Sequence, residues 1–221
     1  DLHSFPTRRS SDLEPDFGLY VLPYPQQVSI GGDAFVFNSN LNIVLNKNHS
    51  SADEFAANEL ANDLKQQWNI NSQVGTQKGG YSIIFIRKKA SSKIRKQGYQ
   101  IAVGKNEIII TSNDEEGLFY GTRTLIQLIQ KKGDGYQVPG LKITDWPAIL
   151  QRAVHYDTKH HQDKMDYVKS FIKELADYKI NMLVWEWEDK FAYPSHPEIG
   201  APGAFTPAEI RDPVLDRKSV V

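Results

Sequence analysis

The chain has 221 residues, 40% of them hydrophobic and 24% charged, which are ordinary proportions for a globular protein of one or two domains. A formal net charge of −1 provides no electrostatic footprint for nucleic acid or an anionic membrane, and no apolar run is long enough to span a bilayer. Cysteine is absent, so disulfide frameworks and thiolate chemistry are excluded, which fits a cytoplasmic or a periplasmic protein equally.

The two ends look foreign to the rest. Residues 1–13, DLHSFPTRRSSDL, have no periodicity and no signal-peptide apolar region. Residues 213–221, PVLDRKSVV, begin with a proline that is expected to break a helix only just started. Both strings resemble translated sequencing-adapter sequence and are expected to be non-native tails.

Between them, Leu22-Pro23-Tyr24-Pro25 opens an extended leading segment. Residues 34–37 and 41–45 read as short strands. Ser51-Ala52-Asp53-Glu54 has the pattern of a capping box, and the helix that follows places Ala56, Leu60, Leu64 and Trp68 on one face to about residue 69. Residues 81–86 read as a strand, and residues 99–103 and 107–111 as a hairpin about Gly104-Lys105-Asn106. A basic run from Arg87 to Lys96 is simplest as a solvated loop. A second helix is expected over about 115–130, burying Leu118, Leu125, Leu128 and Ile129, with a Gly-rich loop over 131–135 to end it. Residues 14–145 therefore predict an α+β domain, a sheet with helices on one side.

Trp146-Pro147 marks a boundary, because the residue before proline is driven to extended geometry. Residues 152–157 are short and β-compatible and end in charge. Met165, Val168, Phe171, Ile172, Leu175 and Tyr178 then recur at helical spacing, and Met182-Leu183-Val184-Trp185 is an apolar run that ends in Glu186, Glu188 and Asp189. A loop rich in Pro and Gly follows over 194–204, then a second capping box in Thr206-Pro207-Ala208-Glu209. Strand, helix and apolar strand imply a parallel crossover, so residues 146–212 predict the first βαβ unit of a truncated (β/α)₈ TIM barrel, which needs about 250 residues to close. In such barrels functional groups gather at the carboxyl ends of the strands.

Two stretches resemble the family 20 glycoside hydrolases, the β-N-acetylhexosaminidases. In the first, Gly117, Phe119, Tyr120, Gly121, Thr124, Leu125, Gln127 and Leu128 are similar to the close of that family's accessory domain. In the second, Arg152, His155, Asp157, Lys159, Asn181, Glu186, Glu188, Asp189, Lys190, Phe191 and Tyr193 look most like the hexosaminidase D-like branch. The resemblance covers about residues 20–212. It implies a retaining, exo-acting, substrate-assisted hydrolysis of terminal GlcNAc or GalNAc, with no cofactor and no metal. It also implies that the catalytic Asp-Glu pair lies at the end of a fourth barrel strand, beyond residue 212, so that this fragment is expected to be inactive alone. Its partner would be a glycan or amino-sugar substrate.

What the fragment could supply is sugar binding. Arg152 matches the family arginine placed at the end of the first strand, where a planar, multi-donor cation suits adjacent hydroxyls. Glu188 and Asp189 are acceptor-only carboxylates at a strand end, able to bind hydroxyls or to brace Arg152, and His155 and Asp157 lie together on one strand face. Arg152, Glu188, Asp189, His155 and Asp157 are thus the expected substrate-binding set. Glu186 carries less weight, since three barrel-facing acids repel unless Arg152 or Lys159 neutralises them. A metal site built on His155, His160, His161 and Asp157 lacks a ligating helical spacing or a Cys partner. Two other readings stay open: another barrel glycosidase with the same accessory domain, or a non-hydrolytic carbohydrate-binding relative.

Overall fold

The computed structural model describes residues 19–87 and 94–215. Residues 1–13 lie outside them, as do most of the second expected tail and the middle of the basic run.

Seven strands form one mixed sheet in the order β1-β10-β6-β7-β5-β3-β4. In chain order they are β1 (Gln27–Ile30), β3 (Leu41–Val44), β4 (Ser72–Gly75), β5 (Tyr81–Arg87), β6 (Tyr99–Val103), β7 (Glu107–Ser112) and β10 (Leu141–Asp145). The half from β4 to β7 is parallel and the half from β7 to β1 antiparallel. Helices α1 (Ser51–Trp68) and α2 (Glu115–Gln127) pack on each other, α1 against β4 and α2 against β6 and β7. β6 and β7 alternate buried and half-buried residues, as strands with one covered face must. Tyr99, Ile101, Ile108, Ile110, Leu60 and Leu64 meet in the core between sheet and helices. This is the α+β arrangement that the sequence predicts.

Four local readings change. β1, β4 and β10 were not expected as strands, and β10 is internal, pairing with β1 on one side and β6 on the other. The capping box of α1 sits one residue earlier: the Ser50 hydroxyl accepts from Asp53 N–H, and the Asp53 carboxylate accepts from Ser50 N–H at 3.0 Å. α2 stops at Gln127, and the expected Gly-rich loop is the turn of a hairpin, β8 (Gln130–Lys132) and β9 (Gly135–Val138), which joins β2 (Phe35–Val36) in a small second sheet. The last helix, α4 (Pro207–Leu215), continues past Pro213, where a break was expected.

The Gly117-Leu-Phe-Tyr-Gly121 run has a steric cause. A Cβ at Gly117 would sit on the Gly98 carbonyl, and one at Gly121 would lie 2.5 Å from Ile110 Cγ2. Both glycines let α2 settle directly on β6 and β7. Its far side carries Arg123, 2% exposed, which donates to Asp63 of α1 at 2.6 Å. The same guanidinium donates at 3.1 Å to Asp177, at the end of the next helix, α3 (Met165–Asp177), and Lys173 of α3 reaches Asp63 at 2.9 Å. Three helices are therefore bound by one buried carboxylate and its cations.

α3 links β11 (Ala153–Asp157) to β12 (Met182–Glu186). These two strands pair in parallel, Ala153 with Met182 through Asp157 with Glu186, as the crossover pattern predicts.

Candidate functional site

The side chains of β11 and β12 divide by parity. Tyr156 and Trp185 turn toward α3, where Tyr156 meets Phe171 at 5.4 Å and Trp185 at 5.6 Å between ring centroids. Ala153, His155, Asp157, Met182 and Val184 are exposed on the alternate positions. On that face His155 Nε2 lies 2.7 Å from Glu186 Oε2. Lys159, in the turn after β11, reaches Asp157 at 2.9 Å and Glu186 at 3.5 Å.

Thr158 holds the turn. Its N–H and its hydroxyl both donate to the Glu186 carbonyl, at 3.1 and 2.9 Å, and its side chain is fully buried. Asp157 Oδ1 accepts from Lys159 N–H at 3.0 Å, the side-chain-to-backbone turn that short carboxylates favour. The Lys159 backbone N–H, and next its ammonium, hold the Asp157 carboxyl below its ordinary range; Asp157 in turn raises Lys159 above its own. The cluster sets the Asp157 and Glu186 side chains around the Lys159 ammonium, with His155 at its edge. It offers acceptors and donors side by side, as sugar hydroxyls require.

Glu188 and Asp189 do not continue β12. They lie in a single 3-10 turn, Glu188–Lys190, which Glu188 enters with φ 46°. The Glu188 carbonyl accepts from the Tyr193 hydroxyl at 3.0 Å, and the Asp189 carboxylate pairs with Lys190 at 2.6 Å while staying half exposed. The loop beyond folds back on this turn: Ala201 N–H donates to Asp189 O, Phe205 N–H to Lys190 O and Ala192 N–H to Phe205 O, each at 2.8 Å. Beside it Trp187 stacks on Phe191 at 4.8 Å, and Tyr193 meets Phe191 edge-on at 5.0 Å between ring centroids.

Arg152 is the correction. It precedes β11, whereas Asp157 closes it, so the two stand at opposite ends of a strand that rises about 3.3 Å per residue. Its guanidinium donates to Lys179 O at 2.6 Å, Gln97 Oε1 at 2.9 Å, Ile149 O at 2.8 Å and Leu150 O at 3.2 Å, and it lies 5.1 Å from the Tyr120 ring centroid. It faces the α+β layer, where it lines a cavity of about 270 Å³ with Tyr99, Tyr120, Asp145, Trp146 and Lys179. The structure brings together His155, Asp157, Lys159 and Glu186, places Glu188 and Asp189 in the following turn, and leaves Arg152 at the other rim. Lys159 and Glu186 lie in the cluster where Arg152 does not, and the Asp-Thr-Lys turn is the sequence signal for Lys159. His161 pairs with Asp163 at 2.9 Å, and among the described residues no three His, Asp or Glu side chains converge as metal ligands.

An α+β layer of this order leads into a parallel strand pair with acids at its carboxyl ends. Residues 18–146 match the family model "Glycosyl hydrolase family 20, domain 2", and the chain belongs to that family. It is 26% identical to a β-hexosaminidase of Porphyromonas gingivalis, over 90% of this chain and 28% of that protein. It is 28% identical to a β-N-acetylhexosaminidase of Cellulomonas fimi, over 64% and 32%. Among solved structures it is similar to the Streptomyces plicatus N-acetyl-β-hexosaminidase in complex with Thio-NAglucal, with a TM-score of 0.77 and 26% identity over 90% of this chain and 43% of that one. The chain spans about 30% of the length of these two curated relatives.

Proposed function

We propose that this chain is part of an exo-β-N-acetylhexosaminidase, with residues 14–145 as its accessory domain and 146–212 as the opening βαβ unit of a TIM barrel. The reading rests most on one observation: β11 and β12 run parallel and carry His155, Asp157 and Glu186 to their carboxyl ends, directly after a domain of the family. In this reading Asp157, Glu186, Glu188 and Asp189 accept from hydroxyls of the terminal sugar, His155 offers a further hydrogen-bonding group beside them, and Lys159 balances the acids' charge. Tyr193 and Phe191 line the mouth. Arg152 is left out of the set.

Binding energy gained there fixes the anomeric carbon for attack by the substrate's own acetamido oxygen. The Asp-Glu pair that would orient the acetamido group and protonate the leaving oxygen belongs to a later barrel strand, so the 221-residue chain is inactive alone. Two measurements test this. The chain should release no p-nitrophenol from p-nitrophenyl N-acetylglucosaminide. Titrating it with N-acetylglucosamine should shift the amide signals of residues 157–159 and 186–190, and Asp189→Ala should weaken those shifts. Hydrolysis by the chain alone, or shifts confined to the α+β layer, would overturn the reading.

A further inference from the structure

The turn that delivers α3 into β12 is gripped by the seven-stranded sheet. α3 ends in a Schellman turn, with Ile180 N–H donating to Leu175 O and Lys179 N–H to Ala176 O, both at 2.9 Å. Glycine suits the left-handed position of such a turn, yet here it is Lys179, with φ 62°. The lysine side chain runs inward and is 7% exposed. Its ammonium donates to the Tyr99 hydroxyl of β6 at 2.9 Å and lies 3.2 Å from Asp145 Oδ2 of β10. Burial pushes this ammonium below its ordinary pKa, and Asp145 opposes that.

Asp145 is where four segments meet. Oδ1 accepts from Gln26 N–H at 3.1 Å and Trp146 N–H at 2.9 Å, and Oδ2 accepts from the Tyr99 hydroxyl at 2.6 Å as well as from Lys179. Arg152 adds a second tie at the same level, bridging the Lys179 carbonyl to Gln97 just before β6. Its own N–H donates to Asn181 Oδ1 at 2.8 Å, which aligns the starts of β11 and β12. Both strands are thus fastened to the sheet at their amino ends, and the acid cluster stands at their other ends.

We infer that Lys179 and Arg152 are positioning residues, which clamp the β11–β12 pair on the Tyr99–Asp145 edge and so fix the direction in which His155, Asp157 and Glu186 project. A lysine that merely ended α3 would be matched by glycine, which makes the turn without strain. The functional meaning rests on the sugar-binding reading above, but the clamp is measurable without any sugar.

Residual dipolar couplings of the ¹⁵N-labelled chain provide that measurement. In the wild type the N–H couplings of β6, β7, β10, β11 and β12 fit one alignment tensor. In Lys179→Gly, and separately in Arg152→Met, the couplings of β11 and β12 leave that fit and shrink by about a third or more, as expected for a unit that moves against its support. Lys179→Arg, which keeps a cation on Asp145, restores the single fit. If Lys179→Gly does not fold, Asp145→Asn reads the same tie, since its remaining oxygen still accepts from Gln26 or Trp146. A single tensor in the Gly and Met variants would overturn the clamp, because loss of stability alone leaves orientation in the native state unchanged. Failure of the N-acetylglucosamine titration with the clamp intact would sink the sugar site and spare the clamp.

Discussion

Arg123 offers the sharpest test of how the helices hold together. Arg123→Met removes the guanidinium 2.6 Å from Asp63, a carboxylate only 1% exposed, and keeps a side chain long enough to fill most of the space. One partner remains, Lys173 at 2.9 Å, itself more than a third exposed. Breaking a buried pair from one side costs about 3–5 kcal/mol, because a charge stays behind without its partner. With Lys173 in place the loss belongs at the lower end, about 3 kcal/mol, which for a chain of this size lowers Tm by roughly 6–12 °C. The double variant Arg123→Met/Asp63→Leu removes both buried charges and frees Asp177 and Lys173 to reach water, so it should recover at least half of the loss. Urea unfolding followed in parallel by tryptophan fluorescence and far-UV circular dichroism measures both variants and checks that the transitions coincide. A single-variant loss below about 1 kcal/mol, or additive losses in the double, would refute the idea that Asp63 holds three helices through buried charge.

The glycines of α2 predict an order of effects. Gly117→Ala sets a Cβ against a backbone carbonyl that cannot yield, and should cost about 2 kcal/mol or more. Gly121→Ala meets the Cγ2 methyl of the buried, β-branched Ile110, a clash that its gain in helix propensity offsets only in part, for a net loss of about 1–2 kcal/mol. Chemical denaturation ranks them, and the reverse order would show that α2 is not seated through Gly117. A third prediction concerns acid. The Glu115 carboxyl is held below its ordinary value of 4.5, first by a hydrogen bond from Ser50, with burial opposing and Arg87 assisting. Its contribution is fully present above that ordinary value and fades as pH falls through the depressed one. A ¹³C-detected titration of Glu115 should therefore have its midpoint below 4.5, and a midpoint at or above it would contradict the Ser50–Glu115–Arg87 contact.

Much of this architecture is legible from local pattern. The three long helices carry apolar residues at helical spacing, and parity alone sets His155, Asp157 and Glu186 on one face of a parallel pair. The missed strands lack such a signal. β4 is Ser-Gln-Val-Gly at a sheet edge, and β1 leaves most of its residues exposed. β10 alternates cleanly, but its partners lie about 40 and 115 residues away, and no window of sequence reports a contact at that distance. Arg152 fails for another reason. Alternation tells which face of a strand a residue shares; it does not tell which end of the strand meets the site and which meets a neighbouring layer. Lys179 was passed over because a lysine closing a helix ordinarily lies in water, and only the three-dimensional approach of Tyr99 and Asp145 turns it inward.

The pairing of Gln27 with Thr144 also bears on the order in which the protein is made. A strand near the start of the chain finds its seat only after more than a hundred further residues have been translated, and pairings this distant in sequence close slowly. Once Asp145 has emerged the first sheet can complete itself, and the next strand to leave the ribosome is β11. The β11–β12 pair therefore meets a finished wall as it is born, and that wall can serve as its template.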